Sequence, residues 1–204
     1  MTAETFKIRP AVLQDAATLV KLYSYYVEQT AITFEYTVPS IAEFKKRMLK
    51  ISRRYPYLVA LVNQKIVGGY AYLSAFHPRA AYGWSAEISI YLDPKTRHQG
   101  IGSRLYAELE KIARAQNILN LNACISFSET QTAHLPPLTS VYFHKKMGYV
   151  QTAHFHQCGY KFSTWYDMIW MEKILAAHTI PAPSFHKFPE ISTAFYTEPN
   201  TTDC

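Results

Sequence analysis

The stretch Arg97-His98-Gln99-Gly100-Ile101-Gly102 decides how this chain is interpreted. It lies between a predicted strand at 87–92 and a helix that is predicted to begin near its last glycine. Two glycines allow a ligand to approach the backbone closely, and the first N–H groups of a helix have no partner within that helix. Such N–H groups bind phosphate, helped by the helix dipole, and Lys95 adds positive charge beside Arg97. The pattern therefore indicates a phosphate-binding loop, although a glycine turn without a ligand has the same short sequence.

The hydrophobic periodicity on either side of this loop predicts a mixed α+β domain. Two helices come first, one with Asp15 as its N-cap and one that begins with a capping box formed by Ser40 and Glu43. The later elements are predicted as strands at 57–62, 66–73 and 85–92, a helix at 101–115, a strand at 119–127, a helix at 139–147 that ends at Gly148, and strands at 149–157 and 165–175. Early helices, antiparallel strands and then alternating strands and helices are typical of an α+β fold.

Length and composition limit the classes of protein to consider. The 204 residues fit one domain with a possible appendage, and 49% are apolar, which is enough for a sizeable core. No apolar run reaches the ~18 residues that span a bilayer, and the N-terminus carries no export signal. Three cysteines without paired spacing indicate reduced thiols, so we expect a cytoplasmic protein.

A net charge of +6 fits either nucleic acid or a small polyanion as partner. The densest basic group, within 45–54, lies on a predicted helix and is interpreted first as a solvated face. We therefore expect no nucleic-acid and no membrane partner.

The chain divides into a domain at 1–177 and a proline-rich extension at 178–204. Four prolines exclude a regular helix or a central strand in the extension. Its aromatic side chains are unusual for a disordered tail, so we expect part of it to pack on the domain surface.

From about Ile8 to about Leu175, short motifs occur in an order that resembles a known family. They are Tyr26-Val27, Thr33-Phe34-Glu35, Arg54-Tyr55-Pro56-Tyr57-Leu58-Val59-Ala60, Arg79-Ala80-Ala81-Tyr82-Gly83-Trp84, Glu87-Ile88-Ser89-Ile90-Tyr91-Leu92, the glycine loop, His144-Lys145-Lys146-Met147-Gly148-Tyr149, Gly159-Tyr160-Lys161-Phe162 and Trp165-Tyr166-Asp167. The chain resembles the phosphinothricin and methionine sulfoximine N-acetyltransferase branch of the GNAT superfamily.

This resemblance implies a GNAT fold, whose mixed, mostly antiparallel central sheet is flanked by helices. It also implies acetyl-CoA as co-substrate, a homodimer, and direct acetylation of the α-amine of a small amino-acid-like compound such as phosphinothricin or methionine sulfoximine. The alternatives are a GNAT enzyme for another small amine, a CoA-binding protein without useful catalysis, and a nucleic-acid-binding module. No Ser-His-Asp or Gly-x-Ser-x-Gly signature is present, and direct transfer requires no enzyme nucleophile.

The resemblance assigns two catalytic residues. Glu87 matches the family's glutamate base, and a partly desolvated carboxylate is suited to take a proton from the amine. His144 matches a histidine expected near the CoA sulfur, where it would protonate or hydrogen-bond the thiolate. The alternatives are a solvated strand-end glutamate and a histidine in a structural hydrogen bond. Tyr142 is a rival acid, but at helical spacing its side chain diverges from that of His144.

The cofactor contacts are expected from main-chain groups of Ile88, Ser89 and Ile90 and from the N–H groups of the loop, at His98, Gln99, Gly100, Ile101, Gly102 and Ser103, with Arg97 adding charge. A substitution at either glycine is expected to place a Cβ where the ligand approaches. The family's asparagine contact falls near Pro137, which has no side-chain amide, so Ser140 or Thr139 is expected to replace it.

The substrate contacts are expected from Phe34, Glu35, His77, Arg79 and Tyr82. Arg79 is expected to hold an acid group with two hydrogen bonds, although it could also be an ordinary surface arginine. The family often has lysine at the position of His77, which weakens the case for a doubly anionic substrate.

His154, His156 and Cys158 alternate along a predicted strand and would share one face. Three such ligands bind zinc only if a fourth group from elsewhere closes the site. We therefore interpret them as half-buried strand residues and expect no metal.

Overall fold

The computed structural model describes residues 6–62, 66–96, 99–130, 132–135 and 139–196. A mixed, mostly antiparallel sheet holds seven strands in the order β1-β2-β3-β4-β5-β7-β6. Their bounds are β1 Phe6–Pro10, β2 Tyr57–Val62, β3 Ile66–Ala75, β4 Ser85–Leu92, β5 Asn120–Phe127, β6 Val150–Lys161 and β7 Thr164–Ile174. The helices are α1 Ala16–Gln29, α2 Ile41–Ser52, α3 Ile101–Ala115, α4 Thr139–Lys146 and a single turn, α5, Phe188–Ile191. The predicted α+β class and the order of the predicted elements are confirmed.

The sheet separates two cores. Ala86 and Ile88 of β4 face a core that includes α3, whereas Tyr91 packs with the residues of a second core around α1 and α2. Because side chains alternate along a strand, Glu87 and Ser89 project to the α1–α2 side. Several tyrosines pack on this side, and the rings of Tyr57 and Tyr72 stack with centroids 4.9 Å apart.

Two early features differ from the prediction. Strand β1 was missed: its alternation covers only a few residues before Pro10, too short to be recognised from sequence, yet it pairs antiparallel with β2. The capping box at α2 is only half formed. The Ser40 hydroxyl accepts from the Glu43 N–H, but the Glu43 side chain pairs with Arg47 instead of reaching back.

Asp15 occupies the N-cap position of α1 without capping it through its side chain. Its carboxylate accepts from the Val12 N–H at 2.9 Å and pairs with Arg9 at 2.7 Å. Asp15 therefore ties the first helix to β1.

The extension packs on the domain, as expected. Phe188 is only 7% exposed, and Phe185, Ile191, Phe195 and Tyr196 pack against the core on the α3 side of the sheet. Gln116, fully buried at the end of α3, donates to the carbonyls of Arg54 and His186. Trp84 donates its indole N–H to the Pro183 carbonyl at 2.6 Å. Residues 183–196 thus complete the surface where α3 ends.

Within the described residues, no helix combines the length and apolar character needed to cross a membrane.

Candidate active site

Strands β4 and β5 are parallel neighbours that separate after three residue pairs. The pairs are Ser85 with Asn120, Ala86 with Leu121, and Glu87 with Asn122. Beyond Glu87 no described strand pairs with β4 on this side, and a cavity of about 680 Å³ opens between the two strands. The edge N–H and C=O groups of β4 in this gap are available to an extended ligand.

The cavity brings together most of the predicted cofactor residues. Its walls include Ile88, Ser89 and Ile90 of β4, the loop and first turn of α3, and the start of α4. Among the predicted residues the lining contains Gly100, Ile101, Gly102, Ser103, Thr139, Ser140 and His144. Gln99 is exposed and is not among the lining residues. Arg97 and His98 lie outside the described residues.

The start of α3 has the geometry of an anion site. Gly100 is the N-cap, with φ +77, and the first helical hydrogen bond runs from the Arg104 N–H to the Gly100 carbonyl. The N–H groups of Ile101, Gly102 and Ser103 therefore have no acceptor within the helix, and the helix dipole favours a negative group there. The first turn contains no acidic residue that would occupy this position.

The two glycines of the loop also have structural reasons within the protein itself, and the predicted close approach of the ligand stays a prediction. A Cβ on Gly100 would meet no atom within 4 Å, so this position needs glycine for its left-handed backbone. A Cβ on Gly102 would lie 3.3 Å from Leu92 Cδ1 and 3.3 Å from Phe143 Cε2. Gly102 therefore allows α3 to pack closely against β4 and α4.

Glu87 stands on the last residue pair before the strands separate, next to Ile88 of the cavity wall, and is not itself among the lining residues. Its side chain is half-buried and accepts no hydrogen bond from the described part of the chain. Desolvation raises the pKa of the Glu87 carboxyl above its usual value. A partly desolvated carboxylate without a neutralising partner has the character of a general base.

His144 is 3% exposed, and both of its ring nitrogens are engaged. Nδ1 lies 2.7 Å from the Ser140 carbonyl, which can only accept, so Nδ1 carries the hydrogen. In the neutral ring Nε2 is then an acceptor, and it lies 2.8 Å from the hydroxyl of Tyr106. Burial lowers the pKa of His144 to about 4, so the ring is neutral at pH 7. The catalytic role predicted for His144 stays a prediction, and its geometry is that of a structural hydrogen bond.

The loop after α1 carries two predicted substrate residues, and both contact other parts of the protein. The ring of Phe34 lies 6.3 Å from that of Tyr166, centroid to centroid. One Glu35 carboxylate oxygen accepts from Arg47 at 2.6 Å and from the Tyr23 hydroxyl at 3.1 Å. Neither residue lines the cavity between β4 and β5.

His77, Arg79 and Tyr82 follow β3 in an exposed loop. The rings of His77 and Tyr82 contact each other with centroids 4.9 Å apart, and Arg79 begins a short 3-10 turn that contains Tyr82. The structure thus groups these three residues, outside the lining of the cavity.

The mixed, mostly antiparallel sheet flanked by helices is the fold that the resemblance implies, and comparison with known proteins agrees. Residues 8–170 match the family model described as "Acetyltransferase (GNAT) domain". The chain belongs to the GNAT family of N-acetyltransferases.

Three similar proteins indicate which members of this family the chain resembles. The chain is 29% identical over 177 residues to phosphinothricin N-acetyltransferase of Streptomyces viridochromogenes, covering 87% of this chain and 92% of that one. It is also 29% identical to the L-methionine sulfoximine/L-methionine sulfone acetyltransferase of Salmonella typhimurium, covering 85% and 97%. A crystal structure of a phosphinothricin acetyltransferase from Sinorhizobium meliloti, in complex with acetyl-CoA, is 34% identical with a TM-score of 0.80, covering 91% and 97%.

Tyr26 is a wall residue of the GNAT cavity that was not predicted as a site residue. The hydroxyl of Tyr26 donates to the Leu92 carbonyl at 2.5 Å and accepts from the Leu92 N–H at 3.0 Å. It therefore satisfies the edge of β4 at the outer end of the gap. Its only signal in the sequence was the motif Tyr26-Val27 of the resemblance, which does not indicate this contact.

A buried cation was missed as well. Lys161 is 3% exposed, and its ammonium group donates to the carbonyls of Thr30 at 2.9 Å and Thr33 at 2.8 Å. Burial lowers its pKa from the usual value. Lys161 thereby fixes the loop that carries Phe34 and Glu35, and the signal for it was only its place in the resemblance.

Proposed function

We propose that this GNAT protein transfers the acetyl group of acetyl-CoA to the α-amine of a small amino-acid-like compound, such as phosphinothricin or methionine sulfoximine. The observation that carries the proposal is the position of Glu87, a desolvated carboxylate without a polar partner among the described residues, at the point where β4 and β5 separate. The names of the similar enzymes support this substrate class.

The residues that line the cavity fit acetyl-CoA. The free N–H groups of Ile101, Gly102 and Ser103 would hold the pyrophosphate, and the edge of β4 at Ile88–Ile90 would hydrogen-bond the pantetheine arm. Bound acetyl-CoA supplies the thioester. The gap narrows toward Glu87, so this end would hold the thioester.

Glu87 would then accept the proton that the ammonium form of the substrate must lose, directly or through a water molecule. Its raised pKa makes it a stronger base than an ordinary glutamate. Main-chain groups of β4 would stabilise the oxyanion.

Two side chains compete for the role of acid toward the leaving thiolate. Tyr142 is 61% exposed and lines the cavity, whereas His144 reaches the cavity wall beside Tyr106. Nε2 of the neutral His144 ring accepts from Tyr106 and carries no proton that it could pass on through this hydroxyl, so we propose Tyr142 as the acid, with His144 as the alternative. Tyr142→Phe and His144→Gln, compared in single-turnover assays, separate the two: the larger loss of the chemical rate identifies the acid.

The activity is tested by a substrate panel with acetyl-CoA and thiol detection. The panel contains phosphinothricin, methionine sulfoximine, common amino acids, polyamines and a short peptide. Glu87→Gln should lower turnover by roughly 10²-fold with little change in acetyl-CoA affinity, and the loss should shrink at high pH, where free amine is plentiful. Glu28→Gln, an exposed glutamate on α1, is the matched control and should keep full activity. Acetyl-CoA binding without transfer to any amine would instead identify a CoA-binding protein.

For the substrate, we propose that Arg79 holds an acid group of the amino-acid substrate. Arg79 is exposed and has no side-chain hydrogen bond or ion pair in the described part of the chain, so its guanidinium is free to bind a ligand. Arg79→Ala should raise the Michaelis constant of amino-acid substrates roughly ten- to hundred-fold. Simple amines should be poor substrates and indifferent to the change. A preference for polyamines that Arg79→Ala leaves untouched would refute the substrate class and leave acetyl transfer standing.

We further propose that the protein is a homodimer and that it is cytoplasmic. The predicted boundary between the domain and the extension, at residue 177, also stays a proposal. Light scattering at micromolar concentration tests the dimer, and a monomeric mass would contradict it. Fractionation of cells that express the protein tests the compartment.

A further inference from the structure

We propose that His154, His156 and Asp167 form a binding site for one divalent transition-metal ion of the zinc type. The three residues lie on β6 and β7 and take no part in the acetyl-transfer cavity. One ligand atom from each of them lies within 4.8 Å of the others.

The pairing of the two strands brings the three residues together. His154 pairs with Ile169 and Phe155 with Met168, so the next residue on β6, His156, falls beside Asp167 on β7. The two imidazole rings stack with centroids 4.1 Å apart and planes at 28°. Residues two apart on one strand and their cross-strand neighbour therefore present their ligand atoms on the same face.

Cys158 does not belong to this group, contrary to the alternation predicted from the sequence. Gln157 has φ +48, and the register shifts between Phe155 and Gly159. The bulge turns the Cys158 thiol back toward the Phe155 carbonyl, at 3.6 Å. Asp167 takes the place of the thiol as the third protein ligand.

The carboxylate of Asp167 is held in orientation from both sides. One oxygen accepts from the Gln157 N–H at 2.8 Å, and the other lies 2.7 Å from His154 Nε2. A backbone donor on the far oxygen is the kind of outer contact that orients metal ligands. The ring of Phe127 meets that of His154 edge-on at 5.2 Å and restrains its rotation.

A simple ion pair between His154 and Asp167 does not explain the cluster. His156 is exposed and has no hydrogen-bond partner among the described residues, yet its ring is aligned with that of His154. Two imidazoles and one carboxylate favour Zn²⁺, Co²⁺ or Ni²⁺ over Mg²⁺ and Ca²⁺, which prefer oxygen ligands. A cavity of about 290 Å³, lined by Glu129, His156 and Asp167 among others, leaves room for a water molecule or the Glu129 carboxylate as the fourth ligand.

The experiment uses the full chain, with any affinity tag removed and metal stripped by a chelator. Co²⁺ is titrated with visible absorption as the readout, and Zn²⁺ by calorimetry and by competition with Co²⁺. We expect one ion per chain, and a chelator should reverse the binding. His156→Ala changes an exposed side chain that makes no hydrogen bond within the described residues, so it should keep the fold, verified by circular dichroism, and weaken binding at least roughly tenfold. Asp167→Asn should do the same.

Cys158→Ser and His134→Ala are the matched controls. Each replaces a side chain of a type that can ligate metals but that lies outside the cluster, so both variants should bind as wild type does. Zn²⁺ should also raise the thermal midpoint of wild type but not of His156→Ala, because a ligand that binds only the folded state stabilises it. Equal affinity in wild type and His156→Ala, or loss of binding in Cys158→Ser, would overturn the proposal.

Discussion

Replacing His144 by glutamine should remove part of the acid sensitivity of the fold. The histidine is buried and neutral, whereas in the unfolded chain it takes up a proton near pH 6.5. Between that pH and about pH 4 the unfolded state binds a proton that the folded state does not bind. The free energy of unfolding therefore falls as the pH falls through this window. The difference between 6.5 and about 4, at about 1.36 kcal/mol for each unit of pKa, is about 3 kcal/mol.

The free energy of unfolding is measured by urea denaturation at several values from pH 7 to pH 5. Over this range the proton uptake of His144 should cost wild type about 2 kcal/mol. His144→Gln should be less stable at pH 7, because the hydrogen bonds to Ser140 and Tyr106 are disturbed, but its stability should fall less steeply toward pH 5. Carboxylates such as Asp15, whose pKa is lowered, also contribute to acid sensitivity, and they do so equally in both proteins.

His178→Gln is the matched control, because this histidine is exposed and its ring contacts only Asn120. It should keep the wild-type dependence on pH. If His144→Gln loses stability toward pH 5 as steeply as wild type does, then His144 is not buried in the neutral form. In that case the conclusion that the His144 ring is neutral at pH 7 fails as well.

Three further predictions test the loop, the cofactor site and the extension. Lys161→Met should lower the free energy of unfolding by about 2–4 kcal/mol in urea denaturation, because two buried carbonyls lose a charged donor, and unchanged stability would contradict this. Gly102→Glu should abolish acetyl-CoA binding in calorimetry, since the new side chain overfills the contact with β4 and brings a negative charge to the anion site; equal affinity would remove this turn from the site. Phe188→Ala should cost about 3 kcal/mol, whereas Ile180→Ala, at a fully exposed residue, should cost nothing; equal thermal midpoints for the two variants would mean that the extension does not support the fold.

The order of elements around the cavity could be predicted because local signals agree there. The bounds of β2, β4 and α3 match the prediction residue for residue, since each element is a continuous periodic segment between turn signals. Gly148 ends α4 with φ +87, as its position after the apolar face indicated.

The remaining features depend on contacts between distant segments. The bulge at Gln157, which removes Cys158 from the histidine face, has no signature in the sequence of β6. The packing role of Gly102 depends on how closely α3 approaches Phe143 of α4. The local pattern indicated a ligand beside this glycine and gave no sign of the helix contact. The burial of Lys161 depends on β6 passing beside the loop after α1, and no local pattern in the sequence indicates that contact.

The proposed base and the cavity beside it arise from one topological feature. β4 and β5 are joined through α3 and are the only adjacent strands that run parallel in the described sheet. Each is held by an antiparallel partner on its other side, β4 by β3 from Ala86 to Leu92 and β5 by β7 along its whole length. The two strands can therefore separate after Glu87 while both stay ordered. The last paired residue before the gap lies between strands on both sides, and this position desolvates its carboxylate. The general base that we propose would thus owe its raised pKa to the point where the parallel pairing stops.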